Sequence, residues 1–223
     1  FRLPPEIFEK FDSMKIGRQR AFLELLRSTL VDLDPAAKIN QFSGSVNLST
    51  EDGQMVDVRP YFLISGKDVY PDIRAKEEWR PFAPDLAQRV IEAKNTETKD
   101  NLVFICRAAR VWRTTMNAPI SGMLIDTLAY EFIDRSLYRM MGAIYHDCLI
   151  RDFFRYLAAV DPDQDFWYAP GSDEIVFRTG PFEVIADEAY ALSEQAIDNS
   201  RLRQDRQAWA KWREIFGIWF VNP

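Results

Sequence analysis

Apolar positions recur along this chain in two rhythms, and the change between them divides it. In RQRAFLELLRSTLVDL, Phe22, Leu26, Leu30 and Leu33 fall on one stripe, which predicts an amphipathic helix. Asp34-Pro35 ends it, because a residue before proline is disfavoured in helical conformation. Ahead of it, FRLPPEIFEKF opens apolar and then meets two prolines, as a strand does when it runs into a loop. KINQFSGSVNLST and QMVDVRPYFLIS read as two strands joined around Asp52-Gly53, a hairpin. Residues 66–84, with Gly66, Pro71, Pro81 and Pro84, read as loop. From Asp85 onward the spacing is mostly helical, over 85–96, 99–116, 120–142, 147–160, 181–198 and 203–216. Strands first and helices later predict an α+β protein with a boundary near residue 85.

Composition narrows the function. Apolar residues make up 47% of the 223 and aromatic ones 13%, enough for a substantial core. The net charge is −6, so the surface as a whole is not built to grip nucleic acid, and an anion site has to be a local basic pocket. The two cysteines, Cys106 and Cys148, form no CxxC or CxxH pattern, and His146 is the single histidine. That argues against a disulfide framework, a zinc site or His-rich metal chemistry. No run of eighteen apolar residues or signal peptide is visible, and a reducing cytoplasm is the expected compartment.

Three stretches could carry chemistry. In EDGQMVDVRPYF, strand alternation sends Val56 and Val58 to one side and Met55, Asp57 and Arg59 to the other. The plain alternative is an Asp57–Arg59 pair on an exposed face. In NLVFICRAARVWRTT, Arg107, Arg110 and Arg113 form a stripe on an otherwise apolar helix. Such a stripe must face a cleft or buried acids, and arginine suits forked phosphate contacts. Its plain alternative is ion pairing to Asp126, the only charge in the next helix between Gly122 and Tyr130. Ser121 is placed to cap that helix, whose free N–H groups favour an anion. In FWYAPGSDE, Trp167 and Tyr168 form an aromatic corner that either stacks a base or packs two lobes. Gly44-Ser45 followed by Asp57-Val58-Arg59 imitates a Gly-Ser…Asp-x-Asp signature, but the second acid would be Arg59, and the match reads as coincidence.

Taken in order, these stretches resemble the bacterial cGAS/DncV-like nucleotidyltransferases, the cyclic-oligonucleotide synthases related to oligoadenylate synthase. GQMVDVRPYF is similar to the strand bearing their third catalytic acid, and DVYPDIRAKEEW to the loop that follows. LVFICRAARVWR with ISGMLIDTLAYEF resembles the paired spine helices. FWYAPGS, AYALSEQAI and WREIFG resemble the C-terminal lobe. The likeness runs over residues 15–217.

The resemblance implies a polymerase-beta-like mixed-sheet palm over 1–85, lacking its N-terminal part, packed on a helical lobe over 86–223. It implies an enzyme joining ATP- or GTP-type triphosphates into a cyclic di- or trinucleotide messenger for antiphage (CBASS) defence. Two Mg²⁺ ions, with Mn²⁺ as a substitute, would be held by three carboxylates, Asp57 being the third. Arg107 and Arg110 would stand near the triphosphate and Ser121 at its edge, with Arg59 helping to hold charge in the cleft. A CBASS accessory protein is an expected partner; a membrane and DNA are not. The first two acids, an Asp-x-Asp pair, and their Gly-Ser turn would precede Phe1, so upstream residues are expected and the chain from Phe1 onward is expected to be inactive alone. The competing readings are a catalytically inactive nucleotide-binding or scaffold protein and a template-independent RNA nucleotidyltransferase.

Overall fold

A computed structural model describes residues 2–35, 38–41, 44–49, 55–73, 77–172 and 174–220. The chain falls into two compact units, Phe1–Ala83 and Pro84–Pro223.

In the first unit, Pro4 and Pro5 open a helix instead of a loop. Pro5 stands at the first helical position of α1 (Pro5–Asp12), where its missing N–H costs nothing. Just before it, Arg2 bridges Tyr61 in parallel, and Leu3 N–H donates to the Tyr61 carbonyl at 2.9 Å. Helix α2 (Arg18–Leu33) buries Phe22 and Leu23, but Leu33 is 76% exposed, so only the first turns of its stripe face the core. The KINQFSGSVNLST stretch is two strands, β1 (Lys38–Gln41) and β2 (Val46–Ser49), folded back antiparallel. Strand β2 then pairs antiparallel with β3 (Met55–Val58); the expected turn at Asp52-Gly53 lies outside the described residues. Pro60 lies just beyond β3, and the chain resumes as β4 (Phe62–Ile64) in a second sheet.

Residues 66–84 are not a loop. They hold β5 (Lys67–Asp72) and β6 (Glu78–Phe82), in the order β4-β5-β6. Ser65 and Gly66, both at positive φ (50° and 78°), make the two-residue turn that suits a right-twisted hairpin. Pro71 is tolerated because β4 ends opposite Val69, leaving β5 with one neighbour there. Pro81 lies on the edge strand β6. Phe8, Phe11, Phe22, Phe62 and Trp79 meet at ring separations of 5.0 to 5.9 Å and bind α1 and α2 to β4 and β6.

The second unit is built on α3 (Pro84–Glu97), α4 (Asn101–Thr115), α5 (Gly122–Ile133), α6 (His146–Ala158), α7 (Phe182–Arg201) and α8 (Asp205–Phe216). Its core gathers Leu102, Ile105, Ala109 and Trp112 of α4, Leu124 and Leu128 of α5, and Phe153 and Phe154 of α6. Ala186, Ala189 and Ala196 line the buried side of α7, whose small residues let α6 and α8 approach closely.

Helix α5 stops at Ile133 instead of running to residue 142. The Asn101 amide donates to the Arg139 and Met141 carbonyls, each at 2.9 Å, and so holds the following segment as a loop. Between α6 and α7, β7 (Phe166–Tyr168) and β8 (Ile175–Phe177) form a hairpin. Each has three residues, too few to show a strand period. No described helix is long and apolar enough to cross a membrane.

Candidate functional site

Asp57 sits in the middle of β3, paired with Asn47 of β2, which pairs in turn with Asn40 of β1. The neighbouring row is apolar: Val58 lies opposite Val46, which is fully buried, and Val56 lies opposite Leu48. Val46 is the residue of this row that is shown buried, and by register Asp57 stands in the other row, opposite Asn47 and then Asn40. The Asp57 carboxylate itself lies outside what the structure describes. Arg59 places its guanidinium 5.2 Å from the centre of the Tyr70 ring. Gly44-Ser45 is not a phosphate turn opening a helix. It leads into β2, with Ser45 buried, and a Cβ on Gly44 would meet the Pro71 carbonyl at 2.8 Å and the Tyr70 ring at 2.9 Å.

In the helical unit, Ser121 caps α5 as expected, its hydroxyl accepting from Leu124 N–H at 3.1 Å. Pro119, two residues earlier, is held by the Thr179 hydroxyl, which donates to its carbonyl at 2.8 Å. Arg110 makes a fork with Asp126, with N–O distances of 2.7 and 2.6 Å. It also donates to the Cys106 and Gly122 carbonyls, at 3.1 and 3.3 Å. These bonds occupy four of the five guanidinium N–H groups and leave only Nε–H. The Asp126 hydrogen bond raises the pKa of Arg110 above its ordinary value. Burial, helped by the Asp126 charge, pushes the Cys106 thiol far up, so it stays protonated and unreactive.

Arg113 reaches the same place. A Cβ added to Gly122 would lie 3.6 Å from both the Arg110 and Arg113 guanidinium groups. Two arginines, one carboxylate and the start of α5 thus meet at Gly122, a residue that sequence reasoning passed over. The usable signal was a side-chain-free position directly after the Ser121 cap. Arg107 is elsewhere: it is exposed on the α4 face of Phe104, Ala108 and Val111 and has no carboxylate partner among the described residues. The stripe therefore divides, with Arg110 bound to an acid and Arg107 open. The aromatic corner divides too, Trp167 being buried while Phe166 and Tyr168 are 44% and 59% exposed.

Because both partners are more than a third exposed, the Arg110–Asp126 pair is expected to contribute modestly. A double-mutant cycle with Arg110→Ala and Asp126→Ala, followed by urea unfolding, should give a coupling of about 1 kcal/mol that shrinks at high salt. Strict additivity would contradict the pairing.

Among the described residues no three His, Cys, Asp or Glu side chains converge as a metal site. Neither a scan against protein-family models nor a search of curated proteins finds a match. Solved structures do share the architecture. Vibrio cholerae di-nucleotide cyclase (DncV) in complex with GTP aligns over 92% of this chain and 59% of its own, with a TM-score of 0.68 and 14% identity. The chain has the DncV fold. The Vibrio cholerae DncV cyclic AMP-GMP synthase holding the linear intermediate 5′-pppA(3′,5′)pG aligns over 94% of this chain and 62% of its own, with a TM-score of 0.67 and 15% identity. Escherichia coli DncV, 3′-deoxy GTP bound form, aligns over 90% of this chain and 57% of its own, with a TM-score of 0.67 and 15% identity. The chain thus spans about three fifths of the DncV chains it matches. Within the DncV fold, it sets Asp57 and Arg59 in the sheet-bearing unit and Arg107, Arg110 and Ser121 in the helical one.

Proposed function

We propose that this chain is the greater part of a nucleotidyltransferase that joins ATP- and GTP-type triphosphates into a cyclic di- or trinucleotide, a messenger for antiphage defence. The observation that carries the reading is the match of at least nine tenths of the chain to DncV structures that hold GTP, 3′-deoxy GTP or a linear dinucleotide. In this reading residues 1–85 are the palm and Asp57 is a catalytic acid on it. Arg107 supplies the fork for the triphosphate. Arg110 adds charge and one N–H, and the capped start of α5 at Ser121 lies at the edge of the phosphates. Arg59 adds positive potential near the palm strand.

A pair of divalent cations belongs to the proposal, but the described residues do not make a two-ion site by themselves. The fit is limited to one position: Asp57 is the single acid in its three-strand polar row. When bound, such ions stabilise the attacking and leaving oxygens of the displacement. What this chain's own residues do is hold the phosphates by charge and forked N–H groups.

Arg107 gives the test. In the full-length protein, Arg107→Ala should weaken GTP and ATP binding roughly tenfold, as expected for a lost charge-assisted hydrogen bond, and leave nucleoside binding nearly unchanged. Calorimetry with triphosphate and nucleoside in parallel distinguishes the outcomes. Equal loss for both would make Arg107 a structural residue.

A further inference from the structure

We propose that the outer face of the β7–β8 hairpin, with the acidic cavity at its edge, is a docking surface for a basic, arginine-bearing segment of a partner protein. The surface lies wholly in the helical unit. Strand alternation puts Phe166 and Tyr168 on one side of β7, and the register sets them opposite Phe177 and Ile175 of β8. Phe166, Tyr168 and Phe177 are all exposed, while Trp167 and its partner Val176, on the other side, are buried in the core. The Phe166 and Tyr168 rings meet edge to face, 5.7 Å apart. A short hairpin that is anchored through one side and presents three aromatic rings on the other has an unpartnered apolar face.

Charge decides the occupant. Beside the aromatic rings a cavity of about 470 Å³ is walled by Phe166 and Tyr168 together with Glu131, Asp163 and Asp165. The Asp163 and Asp165 carboxylates have no cation partner among the described residues. Glu131 uses one oxygen to accept from the Tyr156 hydroxyl at 3.0 Å. Burial, and after it the Glu131 charge, push the Tyr156 pKa up to about 12, so that hydroxyl stays a donor at neutral pH. Two cations stand nearby, and neither neutralises the cavity. Arg178 is engaged: it pairs with Glu183 and donates to the Asp161 and Gln164 carbonyls at 2.6 and 2.7 Å. Arg135 lies 5.9 Å from the centre of the Tyr156 ring and forms no ion pair among the described residues.

The acids are presented by a braced turn. Besides the two carbonyls held by the Arg178 side chain, Arg178 N–H donates to the Asp165 carbonyl at 2.8 Å, and the Gln164 amide donates to the Phe166 carbonyl at 3.1 Å. The segment before β7 is thereby ordered in advance, which lowers the cost of binding. A guanidinium matches both parts of the surface. Its N–H groups suit the free carboxylates, its flat face suits an aromatic ring, and its methylene stem can lie along the apolar rings. A purely apolar partner would bury Asp163 and Asp165 unpaired, and an acidic one would be repelled. The net charge of −6 adds attraction for a basic partner at longer range. None of this depends on nucleotidyl transfer, and the test uses neither nucleotide nor metal.

The test is fluorescence anisotropy of a labelled, acetylated hexapeptide of alternating arginine and leucine, titrated with the full-length protein at low salt. Saturable binding is expected, and none for the same hexapeptide with glutamate in place of arginine. Asp163→Asn combined with Asp165→Asn should weaken binding roughly five- to tenfold. Asp187→Asn combined with Glu188→Gln removes the same charge from exposed positions of α7 and should leave binding within about twofold. Tyr168→Ala, also at an exposed position, should weaken binding roughly threefold. The proposal is overturned if the arginine peptide shows no saturable binding, if the glutamate peptide binds equally, if the two charge-removing pairs act alike, or if Tyr168→Ala has no effect in a folded protein. Arginine amide binding as tightly as the peptide would also overturn it, by making the cavity a site for a small cation.

Discussion

Asp57→Asn in the full-length protein should reduce nucleotidyl transfer by on the order of 10³-fold or more while leaving the melting temperature unchanged. Asparagine keeps the shape of aspartate and removes only the charge. The position already belongs to a row with Asn40 and Asn47, so another amide fits the sheet. An acid that coordinates a metal contributes several kcal/mol to the transition state, and each 1.36 kcal/mol is about tenfold in rate. Product formed from labelled ATP and GTP, resolved by chromatography, gives the rate; circular dichroism gives the stability. Near-normal turnover from a folded variant would remove Asp57 from the chemistry.

The largest expected effect on stability lies in α4. Trp112 is fully buried in the core of the helical unit, 5.4 Å from the Phe154 ring. Trp112→Ala should cost about 3–5 kcal/mol in urea unfolding, because lost apolar transfer and the remaining cavity add. Trp112→Phe should cost far less. The Trp112 Nε1–H is buried without a hydrogen-bond partner among the described residues, so its removal relieves a desolvation penalty that offsets part of the lost volume. Equal losses for the two variants would show that the indole nitrogen is satisfied in solution.

Long amphipathic segments were legible in the sequence because many residues repeat one period. Helices α4 and α7 follow their apolar stripes to within a few residues. What sequence reasoning missed is decided by contacts between distant positions. β5 and β6 carry Pro71 and Pro81, which argue for loop locally, yet the register leaves both where no central ladder bond is lost. The end of α5 is set by Asn101, more than thirty residues away, and nothing in residues 134–142 announces it.

The candidate site was legible in the same uneven way. Ser121 as a cap follows from its neighbours alone, and the structure has it. The arginine stripe was legible as a stripe, but its division was not. A three-residue spacing drifts around the helix, so Arg110 turns toward Asp126 while Arg107 turns toward Phe104 and His146.

The central claim is that this chain belongs to an enzyme that closes nucleotides into a ring. Its most direct test is to incubate the full-length protein with α-labelled ATP and GTP and Mg²⁺ and then to treat the mixture with alkaline phosphatase. A cyclic product has no terminal phosphate, so the account predicts a purified product whose label resists phosphatase completely, where a linear dinucleotide would release the label of its 5′ end, and that product is absent with Asp57→Asn. A folded protein that binds triphosphates but yields no phosphatase-resistant label from any pair of the four common ribonucleotides would contradict it.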